Sequence, residues 1–95
     1  AKIINNMVIS TTDAALYAFD LEQVDIWNNT FKGEPGAFVN DLDNQVSIRN
    51  NIFASDADYS FENQDATAVL NMDYNDFYPG GKYQSKVRKS VLKIE

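Results

Sequence analysis

The sequence predicts an all-β chain wound as a parallel β-solenoid of about four coils of 22–24 residues, followed by a basic C-terminal extension. Three observations carry that expectation. Three segments of 22 residues overlay without a gap: ALYAFDLEQVDIWNNTFKGEPG from Ala15, AFVNDLDNQVSIRNNIFASDAD from Ala37 and YSFENQDATAVLNMDYNDFYPG from Tyr59. Self-similarity at such a fixed period marks a repeat architecture. Within the segments a smaller unit recurs as Val24-x-Ile26-x-Asn28-Asn29-x-Phe31 and Val46-x-Ile48-x-Asn50-Asn51-x-Phe53, with Leu70-x-Met72-x-Tyr74-Asn75-x-Phe77 two residues late. Finally, eleven of 95 residues are asparagine, a type depleted in helix interiors and ordinary strands, so something periodic must use them.

Taken in chain order, residues 1–14 are a partial repeat with Ile3-x-Asn5-Asn6-x-Val8 as its unit. Residues 15–36, 37–58 and 59–80 are the full repeats, and 81–95 are the extension. The last Asn of each unit falls at 6, 29, 51 and 75, spacings of 23, 22 and 24. Apolar residues at i and i+2, a polar break and another apolar residue fit short alternating strands and not a helical period. Val24 and Ile26 are then expected inward, Asp25 and Trp27 outward, and Phe31 inward from the next strand beyond a bend at asparagine. Asn suits that corner because it tolerates the left-handed backbone region, and because its amide can bond to its copy one coil away. Coils stacked ~4.8 Å apart set Val8, Phe31, Phe53 and Phe77 in one inward column, and Ile3, Ile26, Ile48 and Met72 in another. Glu34-Pro35-Gly36 and Tyr78-Pro79-Gly80-Gly81 share a phase and are expected as turns, with 10–14 and 54–58 in the equivalent place. A leucine-rich repeat would need L-x-x-L-x-L-x-x-N, which is absent; a β-sandwich of the same short strands is the alternative architecture.

Past residue 81 the repeat stops. Tyr83, Val87, Val91 and Ile94 would line one face of a helix, while 91–94 could equally be a strand. Residues 1–81 hold three basic and thirteen acidic side chains, a net −10, whereas 82–95 hold five basic and one acidic, a net +4. The extension is expected to cap the last coil, with a site for an acidic polysaccharide or a continuing strand as alternatives, because an open coil exposes unpaired backbone groups and apolar columns. The first coil has no comparable cover, which points to further β-helix rungs or to a homo-oligomer partner at the open ends.

The overall charge of −6 repels phosphate backbones and argues against nucleic acid. No apolar run is long enough for a membrane span. With no Cys and no His, a nucleophilic triad of the usual kind is excluded, and neither G-x-S-x-G nor a phosphate loop occurs.

The string I-x-N-N-x-F, closed by D-Y-N-D-F at Asp73 to Phe77 and followed by Pro-Gly-Gly, resembles the right-handed parallel β-helix repeats of the pectate-lyase-like superfamily over roughly residues 3–80. The resemblance implies a right-handed coil and an extracellular, periplasmic or cell-surface location. It leaves activity open, since that superfamily includes lyases, glycoside hydrolases, epimerases, tailspikes, adhesins and accessory proteins. Its lyases hold calcium on carboxylates beside an Arg or Lys base. Arg49 beside Asp73 and Asp25 is the place here that could host such a pair, but it is too small a set to assign catalytic residues, a metal site or a cofactor.

The candidate site is a surface one. Ile4, Trp27, Arg49 and Asp73 are expected in one outward column, and Lys2, Asp25, Ser47 and Asn71 in its neighbour. Trp27, Arg49, Asp73, Asp25 and Asn71 together are what a carbohydrate-binding groove uses: an exposed ring to stack on a pyranose and polar groups for its hydroxyls or carboxylates. The purely structural reading is a Trp27–Arg49 cation–π contact and an Arg49–Asp73 ion pair, each worth under about 1 kcal/mol at an exposed site. Asn6, Asn29, Asn51 and Asn75 are expected to form a structural ladder. Asp41-x-Asp43-Asn44 lacks the Gly and the Glu of a calcium loop and reads as a solvated corner, and Asp56-x-Asp58 fails the same test. Asp73 and Asp76 around Asn75 read as turn caps. The functional expectation is a carbohydrate-presenting β-helix segment of a polysaccharide-processing protein, contacting polysaccharide or oligosaccharide. The alternative is a self-associating structural module without activity, and a free-standing lyase or hydrolase is a third class.

Overall fold

Each repeated unit folds as two short strands joined by a two-residue asparagine corner, and a third strand completes the coil. The computed structural model describes residues 1–43, 45–55, 59–64, 70–79, 87–88 and 92–94. The strands are β1 (Lys2–Ile4), β2 (Met7–Ile9), β3 (Leu16–Phe19), β4 (Asp25–Trp27), β5 (Thr30–Lys32), β6 (Ala37–Asn40), β7 (Ser47–Arg49), β8 (Ile52–Ser55), β9 (Phe61–Asn63), β10 (Leu70–Asp73), β11 (Asp76–Pro79), β12 (Val87–Arg88) and β13 (Leu92–Ile94). Every strand pairs in parallel with the strand three places along. Three sheets result: A in the order β1-β4-β7-β10-β13, B in the order β2-β5-β8-β11 and C in the order β3-β6-β9-β12. A chain that returns to the same sheet every third strand is coiling, so the all-β, parallel, solenoid-like expectation is met. Within the extension, the described residues at 87–88 and 92–94 are strands of sheets C and A, where a helix was the other option.

Register follows the asparagine spacing in sheets A and B. Lys2 pairs with Asp25, Asp25 with Ser47 and Ser47 with Asn71. Val8, Phe31, Phe53 and Phe77 pair in sequence. Sheet C departs from the gapless overlay. That overlay sets Ala15 on Ala37 and Ala37 on Tyr59, but the pairs are Leu16 with Ala37 and Ala37 with Phe61. The asparagine corner is two residues long in all four coils, whereas the links into sheet C differ in length and absorb the insertions. A one-residue slip moves a strand's side chains to the opposite face. Phe38 consequently pairs with Tyr17 on the outer face, and Ala37 and Val39 are fully buried instead.

Inside, Ile26, Ile48 and Met72 form one buried column, and Phe31 and Phe53 lie beneath the half-exposed Val8. Phe31 and Phe53 stack at 5.7 Å between ring centroids, Phe53 and Phe77 at 5.6 Å, and Phe61 meets Phe53 edge-on at 5.0 Å. Sheet C closes the triangle with small residues on its first two strands, where Ala18, Ala37 and Val39 are almost wholly buried, and with the buried Phe61 on β9, which pairs with Ala37. Val24 and Ile26 point inward and Phe31 follows them, as the alternation predicts.

At the corners the two roles assigned to asparagine are split between neighbours. The left-handed residue is the first of each pair, Asn5, Asn28 and Asn50, with φ of 61°, 59° and 56°. The second, Asn29 or Asn51, is buried and carries the ladder. In the fourth coil the left-handed position is held by Tyr74, at φ 56° and with 75% of its surface exposed. A left-handed conformation costs an L-residue other than Asn or Gly roughly 1 kcal/mol, and Tyr74 has little packing to lose. Tyr74→Asn should therefore raise stability by about 0.5–1 kcal/mol, read as a higher urea midpoint at unchanged slope; a lowered midpoint would refute the assignment.

The Glu34-Pro35-Gly36 turn stands as expected between β5 and β6, with the Glu34–Pro35 peptide cis. Its glycine serves close approach. A Cβ on Gly36 would lie 2.7 Å from the Ser60 carbonyl oxygen, 2.9 Å from that of Phe31 and 3.0 Å from that of Ala54. Residues 10–14 likewise lie between β2 and β3, whereas the first residues of the other two expected turns belong to strands. Tyr78 and Pro79 continue β11, and Ala54 and Ser55 belong to β8. Pro79 is tolerated because β11 is the last strand of sheet B, where a missing N–H breaks no ladder. Gly80, Gly81 and residues 56–58 lie outside the described residues, as do Tyr83, Val91 and Asn44.

Candidate functional site

Strand alternation sends residues 2 and 4 of β1, 25 and 27 of β4, 47 and 49 of β7, and 71 and 73 of β10 to the outer face of sheet A. The register makes two columns of them: Lys2, Asp25, Ser47, Asn71, and Ile4, Trp27, Arg49, Asp73. All five proposed sugar-contacting residues, Trp27, Arg49, Asp73, Asp25 and Asn71, thus share one face on three adjacent strands.

Ser47 organises the group. Its hydroxyl oxygen accepts from the Trp27 indole Nε1–H at 3.0 Å and from the Arg49 Nε–H at 3.0 Å. Both lone pairs are then used, and its own proton remains available to donate. The Arg49 guanidinium also reaches Asp73 Oδ2 from Nη1 and Asn71 Oδ1 from Nη2, each at 3.4 Å. Those long contacts to a side chain 31% exposed are of the weak surface kind, worth at most about 1 kcal/mol. Trp27 differs from expectation in one respect. It is half-buried, because the indole leans over the Ser47 column to make its hydrogen bond. Asp73 is more deeply set, at 7% exposure, whereas Asp25 is half-exposed and makes no side-chain hydrogen bond among the described residues. The arrangement offers a pinned indole, a positioned guanidinium, an amide and an open carboxylate on a lattice of about 4.8 Å.

The asparagine ladder is continuous. Asn29 Oδ1 accepts from the backbone N–H of Asn6 at 2.9 Å and from its Nδ2 at 3.1 Å. Asn51 does the same for Asn29, at 2.9 and 3.0 Å, and Asn75 for Asn51, at 2.9 and 3.0 Å. The Nδ2 groups of Asn29, Asn51 and Asn75 donate onward to the carbonyls of Ile3, Ile26 and Ile48. No buried side-chain nitrogen or oxygen among the described residues lacks a partner.

Asp43 behaves as the corner residue expected of it, accepting from the Gln45 N–H at 2.9 Å. Asp76 is exposed at the start of β11. Among the described residues, no three His, Cys, Asp or Glu side chains converge as metal ligands, and no helix is long and apolar enough to cross a membrane. Asp56 and Asp58 lie outside the described residues.

Sequence reasoning placed Ser47 in its column without its organising role, since a serine carries no signal of which neighbours it will bond. It also missed an aromatic cluster on sheet C. Tyr17, Phe19 and Phe38 lie with ring centroids 5.8–5.9 Å apart on the outer face. The alternation Tyr17-x-Phe19 was visible; the true register, which brings Phe38 beside it, was not. The Tyr17 hydroxyl donates to the Asp13 carboxylate, which holds the Asp13 carboxyl below the usual range and the Tyr17 phenol above its own. No family model matches the chain, and no curated protein or solved structure does either.

Proposed function

We propose that the chain is a right-handed parallel β-helix segment of the pectate-lyase-like kind, which presents sheet A as a carbohydrate-contacting face in a polysaccharide-processing protein outside the cytoplasm. One observation supports this reading above the others: Trp27 and Arg49 are anchored on the same hydroxyl, that of Ser47, with Asp25 and Asn71 in the Ser47 column and Asp73 in that of Trp27 and Arg49. An aromatic ring held in place loses little freedom when a sugar packs on it. The polar groups around it then select hydroxyl positions.

Trp27 is the sole tryptophan, so its emission reports directly on this face. Titration with neutral and acidic oligosaccharides should shift that emission for at least one sugar class. Trp27→Ala, which has no tryptophan and is therefore followed by calorimetric titration with the same sugar, should weaken binding by roughly tenfold, about 1.4 kcal/mol. Undiminished binding by Trp27→Ala would remove the sugar face.

A second reading, self-association as a structural module, is favoured by the edge strand β2. Met7 is 74% exposed, Ile9 63% and Val8 36%, on the first strand of sheet B. Exposed apolar edge strands template further pairing. Mass by light scattering that rises with concentration, and that Ile9→Lys lowers, would support this reading; a constant monomer mass would reject it.

A further inference from the structure

We infer that the outer face of sheet C docks a basic peptide segment, whose arginine or lysine stems lie on the Tyr17–Phe19–Phe38 cluster while their cations meet the carboxylates at its two borders. The rings come first. Tyr17 is 52% exposed and Phe19 48%, both on β3, and Phe38 on β6 lies half-buried against them. Their planes are inclined at 57–76°, so they form an edge-to-face cluster and not a flat platform. Such a cluster offers π-faces in several directions. That suits flexible aliphatic stems ending in cations better than it suits one planar sugar ring.

Charge selects the occupant. Residues 10–24 and 33–48, which contain the two ring-bearing strands and their flanking corners, hold six carboxylates and no Lys or Arg, and beyond them in the same sheet Phe38 pairs with Glu62 and Glu62 with Arg88. Asp13 borders the cluster on the side of sheet B, where its carbonyl accepts from the Glu34 N–H at 2.9 Å. On the opposite side the corners after β3 and β6 stack, Asp43 N–H donating to the Leu21 carbonyl at 2.9 Å. Between them lies a pocket of about 230 Å³ lined by Asp20, Leu21, Glu22, Asp41, Leu42 and Asp43. It begins at the residue after Phe19. A neutral glycan gains little from this concentration of like charge, while each cation of a basic peptide gains from it and is steered toward it. Arginine adds stacking on the rings.

The test uses the full chain and a fluorescently labelled octapeptide of alternating arginine and glycine, followed by anisotropy at about 0.15 M salt. Saturable binding is expected. Phe19→Ala and Tyr17→Ala, which leave the net charge unaltered, should each weaken it about fivefold or more. Glu22→Gln combined with Asp41→Asn should weaken it comparably. Asp76→Asn, an exposed acid on sheet B, should leave it within about twofold, because screening confines the effect to nearby charges. Phe19→Leu, which keeps the apolar bulk without the π-face, covers the case in which Phe19→Ala does not fold. Binding insensitive to both Phe19 variants, or weakened as much by Asp76→Asn as by the pocket pair, would overturn the docking face. So would binding of a glucosamine oligomer in place of the peptide. None of these outcomes depends on Trp27, so they stand apart from the test of sheet A.

Discussion

Phe53→Ala is expected to lower the unfolding free energy by about 3–5 kcal/mol. The ring is fully buried in the middle of its column, stacked on Phe31 at 5.7 Å and on Phe77 at 5.6 Å, with Phe61 edge-on at 5.0 Å. Truncation removes contacts with three neighbours at once. Backbone hydrogen bonds on both sides hold the coils at their spacing, so the cavity cannot collapse by moving them together. A domain of this size has a total stability on the order of 5–10 kcal/mol, so the variant should be largely unfolded in moderate urea. The measurement is the urea midpoint by far-ultraviolet circular dichroism. A loss under about 1 kcal/mol would mean that this column is not packed as described.

Asn51→Ala is expected to cost about 3 kcal/mol or more. Its side chain serves four groups: Oδ1 accepts from the Asn29 N–H and Nδ2, while Nδ2 donates to the Ile26 carbonyl and to Asn75 Oδ1. Alanine would leave those partners buried and unsatisfied, and that penalty exceeds the net worth of the bonds themselves. Position along the ladder gives an internal control. Asn6 is exposed, and its Oδ1 accepts nothing among the described residues. Asn6→Ala should therefore cost about 1 kcal/mol or less. Equal losses at Asn6 and Asn51 in parallel melts would show that the ladder is not what stabilises the coil. If Asn51 tolerated alanine, the buried amide would have to be satisfied by water.

Much of this architecture was legible because its signals are local and repeat. Ile26, Ile48 and Met72, and Phe31, Phe53 and Phe77, each recur at one phase of the unit, and the two-residue corner between their strands never changes length. The surface columns on sheet A follow from the same register, so the candidate site was legible as a set of positions. Its internal wiring was not. That Ser47 receives both Trp27 and Arg49 depends on side-chain torsions, which spacing does not encode. The split between a left-handed Asn28 and a laddering Asn29 was also hidden, since the two residues are identical in type and adjacent.

The sequence by itself determined the coil: the period, the inward columns of sheets A and B, and the asparagine that recurs at each corner, all consequences of alternation and stacking at one fixed spacing. Only the tertiary structure decided sheet C. There the connecting links differ in length, a shift of one residue exchanges inside for outside, and which of Ala37 and Phe38 is buried depends on how much room Phe31, Phe53 and Phe61 leave in the interior.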